Sequence, residues 1–146
     1  MPDWNRTLSM PFHTIKLPKF LFAGLFGSCT IFIPLSFKQD IGAIENLILF
    51  ALVFALINAI LEEVIWRGVM LSSLRDNVSP LYAVCVTSIG FGLLHLSIGM
   101  PLLTSLLFSF GGLFYAIVVL KTNSLYPAIT FHIIINLGMV LNGWIL

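Results

Sequence analysis

The chain has 146 residues, 59% of them hydrophobic and only 9% charged, with a formal net charge of +1. A soluble domain carries about 25% charged residues, so a mean hydropathy of +1.06 excludes a water-covered globule and places this one-domain length of chain in a membrane. The near-neutral charge also excludes an electrostatic grip on nucleic acid.

Residues 1–19 form a polar tail carrying Arg6, Lys16 and Lys19. The apolar run 20–36 follows, with Pro34 near its end. Its lead-in is long for a signal peptide and no Ala-x-Ala-like site follows it, so it reads as the first transmembrane helix. Lys38, Asp40 and Glu45 mark a polar break. The stretch 46–74 is apolar except for Asn58, Glu62, Glu63 and Arg67 among a few small polar residues. As one helix it is about 44 Å long against a hydrocarbon core of about 30 Å, so its last turns should protrude or bend. Arg75-Asp76-Asn77 and Ser79-Pro80 signal a turn. Runs at 81–98 and 102–120 are separated by Gly99-Met100-Pro101, and the last run, 125–146, follows Lys121-Thr122-Asn123-Ser124.

The expected architecture is all-α, a multi-pass transmembrane helical bundle of about five spans, with the membrane domain at 20–146. The placement of Arg6, Lys16, Lys19, Arg75 and Lys121 puts the N-terminus inside and the C-terminus outside. Cys29 and Cys85 sit in apolar runs and read as small apolar side chains.

Charged side chains within a span cost at least about 2.5–3.5 kcal/mol each and default to function. Glu62, Glu63 and Arg67 are three of them, and His95 and His132 add two ionisable groups, with Asn58 and Asn136 as uncharged companions. Glu63 and Arg67 stand at i,i+4 with the acid first, the favourable order for an ion pair. Glu62 points about 100° away from Glu63 around the helix. The two carboxylates therefore meet different surroundings, the condition for giving them different roles. Phe91 shares a face with His95, and His132 shares one with Asn136.

Glu62 and His95 each lie 15 residues from the turn between Asn77 and Pro80, about 22 Å along an antiparallel hairpin. Either glutamate can then sit opposite His95, with Phe91 opposite Arg67. His132 lies only about 12 Å beyond Ser124, so tilt or a recessed loop must bring it to the same depth. One Glu–Arg pair could simply fasten a bundle, and one His could be packed core. The whole set on three spans favours a chemical site, with Glu62, His95, His132 and Asn136 expected to converge.

The segments Glu62-Glu63-Val64-Ile65-Trp66-Arg67, Phe91-Gly92-Leu93-Leu94-His95 and His132-Ile133-Ile134-Ile135-Asn136 resemble the three motifs of the CAAX prenyl protease and bacteriocin-processing (Abi-type) family of intramembrane endopeptidases. The resemblance covers about 55–140 within a family-like core at 46–146. It implies that Glu62 and His95 activate a water molecule, that His132 and Asn136 donate to the oxyanion, and that Glu63, Arg67 and Phe91 support the site. It implies no cofactor. The substrate would be a peptide or membrane protein, with a prenylated C-terminus or a leader peptide both open. The setting would be a multi-pass membrane protein among lipids, in a bacterial plasma membrane first, with an endoplasmic reticulum also open.

Two rivals remain. One is a zinc protease using Glu62 or Glu63, with His95 and His132, as ligands; His13, in the polar tail, is a poor ligand. The other is a non-catalytic bacteriocin-immunity or interaction protein. A proton-coupled transporter would normally need more helices. The chain has no His-Glu-x-x-His helix and no Gly-x-Ser-x-Gly elbow. No Asp falls within a predicted span, which excludes an aspartyl dyad.

Overall fold

The computed structural model describes residues 5–9, 14–37, 39 and 41–145. His13, Lys38 and Asp40 lie outside them. Among the described residues the fold is all-α apart from one pair of short strands, and it divides into two compact units, Met1–Leu61 with Ile129–Leu146, and Glu62–Ala128.

In the first unit, strands β1 (Thr7–Ser9) and β2 (Thr14–Lys16) pair antiparallel within the polar tail, with Leu8 opposite Ile15. Helix α1 (Leu17–Ser36) begins three residues before the apolar run, because Pro18 fits the first helical turn, where no N–H is needed. Helix α6 (Tyr126–Leu141) packs against α1 through two reciprocal contacts. A Cβ on Gly24 would run into the Phe131 ring, and a Cβ on Gly138 would run into the Phe32 ring. Asn142 Nδ2 reaches Ser36 Oγ at 3.2 Å just beyond them. Residue numbers rise together along these contacts, so α1 and α6 run parallel.

Helix α2 (Ile41–Glu63) is apolar all round. Ala51, Ala55 and Ala59 recur every four residues as one buried stripe, while Leu49, Leu52, Leu56 and Ile57 stay exposed on other faces. An uncovered apolar surface of this kind fits lipid, not water.

The second unit opens where α2 continues without a break into a π-helical segment (Val64–Leu71) and then α3 (Ser72–Arg75). The turn read at 75–80 is present. Ser79 Oγ accepts the Tyr82 N–H at 3.3 Å and Pro80 occupies the first turn of α4 (Pro80–Leu94), a regular N-cap. Helix α4 tightens into a 3₁₀ turn (His95–Ile98) that stops at Gly99, whose φ of +90° suits glycine, and Met100 N–H closes back on the His95 carbonyl at 3.1 Å. Helix α5 (Leu102–Thr122) ends at Asn123 in the left-handed region.

Helices α4 and α5 approach closely because both carry glycine at the contact. A Cβ on Gly92 would collide with Ser109 Oγ and the Ser105 carbonyl, and one on Gly112 would lie 2.9 Å from the Ser88 carbonyl. These pairs run in opposite directions, so α4 and α5 are antiparallel. Leu71, Ala83, Val84 and Ala116 form the apolar core beside the 75–80 turn.

Among the described residues, four helical stretches are long and apolar enough to cross a membrane: Leu17–Ser36, Ile44–Arg75, Pro80–Ile98 and Leu102–Thr122. The expected fifth span, α6, is apolar but has 16 residues, about 24 Å against a core of about 30 Å. Its first residue follows the Ser124 break closely, and its end at Leu141 is set by the turn at Asn142 and Gly143 rather than by a loss of apolar sequence. We expect reporter fusions after Lys38, Asp76, Lys121 and Leu146 to read outside, inside, inside and outside. Asp76 and Lys121 on opposite faces would overturn this topology.

Candidate functional site

The π segment places Arg67 inside the second unit. Its side chain is buried, and a buried charge is tolerated only when paired and hydrogen-bonded. Nη1 donates to Glu63 Oε1 at 3.0 Å, the i,i+4 ion pair that the spacing predicts, and Nη2 donates to the Gly112 carbonyl at 2.9 Å. The guanidinium carbon lies 4.5 Å from the centre of the Phe91 ring and 5.3 Å from that of Tyr115, both within cation–π range. Glu63 is fully buried. Arg67 is thus held by one carboxylate, one carbonyl and two rings.

Phe91 is the hub of the aromatic contacts. Its ring meets Trp66, Tyr115 and His95 edge-on at 6.3, 6.2 and 5.3 Å between centroids. The Trp66 ring tip fills the space left by the missing side chain of Gly90.

His95 stands where α4 tightens, and it is half-buried. Nδ1 lies 3.0 Å from the Phe91 carbonyl. A carbonyl can only accept, so Nδ1 carries the hydrogen and Nε2 keeps the lone pair when the ring is neutral. The opposite face of the fixture is Phe108, whose ring stacks on the imidazole at 4.2 Å and 15°.

Glu62 is half-buried one position before Glu63, and the Arg67 ion pair goes to its neighbour. Thus Glu63, Arg67, Phe91 and His95 form one connected set within the second unit, which also contains Glu62. His132 and Asn136 stand one helical turn apart on α6, in the first unit, and both are buried. Asn136 Nδ2 is a buried donor with no hydrogen-bond partner among the described residues. Such a group is rare and calls for a reason.

Two members of this constellation carry no mark in the sequence. Phe108 and Tyr115 look like ordinary aromatics in an apolar run, and only the register of α5 against α4 brings them to His95 and Arg67. Among the described residues no three His, Cys, Asp or Glu side chains are gathered as a metal site would need. The zinc content of active protein separates a metal-dependent from a metal-free hydrolysis.

A family model described as type II CAAX prenyl endopeptidase Rce1-like matches residues 44–138, about two thirds of the chain. The matched stretch holds all the residues singled out above, from Glu62 to Asn136, and begins after α1. No curated protein and no solved structure matches the chain.

Proposed function

The chain belongs to the Rce1-like family of type II CAAX prenyl endopeptidases, and on that premise we propose how its residues divide the hydrolysis of a peptide bond. At family level it is a CAAX-type intramembrane endopeptidase acting on a peptide or protein substrate. Glu62 is the general base and takes a proton from water. His95 orients that water through the Nε2 lone pair. The hydroxide adds to the scissile carbonyl, and the charge on its oxygen is met by hydrogen bonds from His132 and Asn136. The proton taken from water then passes to the leaving amine as the carbon–nitrogen bond breaks.

Several features support this division. Arg67 binds Glu63 in a fully enclosed pair, which gives that carboxylate a bracing role. The Phe91 carbonyl fixes the proton of His95 on Nδ1. The observation that carries the reading is Asn136. Leaving a buried amide donor without an acceptor costs about 1–3 kcal/mol. An oxyanion formed during reaction is an acceptor that would recover that cost only at the transition state, as catalysis requires.

The test is cleavage of a prenylated CAAX-type peptide by full-length protein in liposomes, beside an unprenylated leader peptide as the competing substrate class. Asn136→Ala should lower kcat by about 10²–10³ with KM little changed, because the lost contact belongs to the transition state. A variant with the wild-type kcat would remove Asn136 from the oxyanion role.

A further inference from the structure

We propose that Phe108 is a positioning residue for His95, holding the imidazole plane so that Nε2 faces the reacting water. The proposal rests on the reading of His95 given above and deepens it. Rotation about χ2 of a histidine is soft and roughly two-fold. Two separate constraints are therefore needed to aim one nitrogen. A stacked neighbour sets the plane of the ring but does not distinguish its two edges. A hydrogen bond to one edge distinguishes the edges but leaves the plane free to tilt.

His95 has one constraint of each kind. Phe108 lies parallel to it, 4.2 Å away at 15°, and the Phe91 carbonyl takes the Nδ1 edge at 3.0 Å. The Phe91 ring closes a third side, edge-on at 5.3 Å. The stack depends on the glycine contact between the helices. Gly92, three residues before His95, lies against Ser105 and Ser109, which flank Phe108 on α5. Without a side chain at Gly92, α5 comes close enough to lay Phe108 across the imidazole.

A phenylalanine that merely filled space would be replaceable by an aliphatic side chain of similar bulk at a modest cost in stability. A positioning phenylalanine would not be. The experiment uses full-length protein in nanodiscs with 15N-labelled histidine, the His95 signals being assigned from their loss in His95→Asn. Wild-type His95 should show a protonated Nδ1 and an unprotonated Nε2. Phe108→Leu frees the ring to tilt away from the Phe91 carbonyl and so weakens the hydrogen bond that fixes the Nδ1 proton. It should give a mixture of tautomers and a kcat about 10–100-fold lower at unchanged KM, the size expected of a small misplacement. Phe108→Tyr, which keeps the ring, should restore both. A protonated Nε2 in the wild type overturns the proposal without any variant. Activity lost in His95→Asn but kept in Phe108→Leu, with the tautomer unmoved, overturns the role of Phe108 alone. Full activity in His95→Asn overturns the reading of His95 and this proposal with it.

Discussion

Glu62→Gln should abolish cleavage and leave the folded protein intact. The substitution keeps the size and hydrogen-bonding shape of the side chain and removes its basicity. It leaves the hydrogen-bonded Glu63–Arg67 pair in place. General-base catalysis contributes about 10²–10⁴ in rate, so residual turnover should fall to the floor of a liposome assay. Thermal unfolding should stay within a few degrees of wild type. The zinc alternative makes an opposite forecast: chelator would silence the enzyme, and close to one zinc per chain would copurify. Elemental analysis of active protein, with a chelator titration, separates the two. Stoichiometric zinc whose removal and return switches activity off and on would overturn Glu62 as the base and make it, or Glu63, a ligand with His95 and His132.

Arg67→Ala should act the other way, on the fold first and on activity only as a consequence. It removes both hydrogen bonds and both ring contacts of the guanidinium and leaves Glu63 as a buried carboxylate without its cation. Breaking a buried ion pair from one side typically costs about 3–5 kcal/mol. That is a large part of the stability of a small domain, so the yield of monodisperse protein should collapse. Arg67→Lys should recover only part of it, since an ammonium on a flexible stem cannot serve Glu63 and the Gly112 carbonyl together as the planar fork does. The double variant Glu63→Leu with Arg67→Met should be milder than Arg67→Ala, because no charge is stranded. Unfolding midpoints in one detergent test this order. An Arg67→Ala midpoint equal to wild type would mean that the pair does not hold this unit together.

The breaks in the chain were legible because each has a local cause. Ser79 and Pro80 cap and start a helix, Gly99 accepts a backbone turn closed to other residues, and Asn123 tolerates the left-handed region. The Glu63–Arg67 contact was legible for the same reason, being four residues apart on one helix. The π segment was not: an apolar run has the same hydrophobicity at 3.6 residues per turn as at a wider winding. The pairing of residues 7–9 with 14–16 was hidden in a tail too short and polar to show strand alternation. Tyr115 and Phe108 were hidden because their partners are distant in sequence, and the contact depends on how closely α4 and α5 approach. Glycines 92 and 112 set that distance, but a glycine in an apolar run does not say which neighbour will occupy its gap.

The two glycine–phenylalanine contacts between α1 and α6 point in opposite senses: α6 pushes a ring into α1 at Gly24, and α1 pushes one into α6 at Gly138. A single such contact acts as a detent, resisting displacement but leaving a pivot. Two, reversed and spaced along parallel rods, resist both axial slip and rotation. His132 follows Phe131 directly and Asn136 precedes Gly138 by two residues, so both candidate oxyanion donors lie between the detents. Their depth along the helix is therefore gauged by α1, a segment outside the stretch that matches the family. A helix with no chemical residue of its own thus serves as the ruler against which α6 is set.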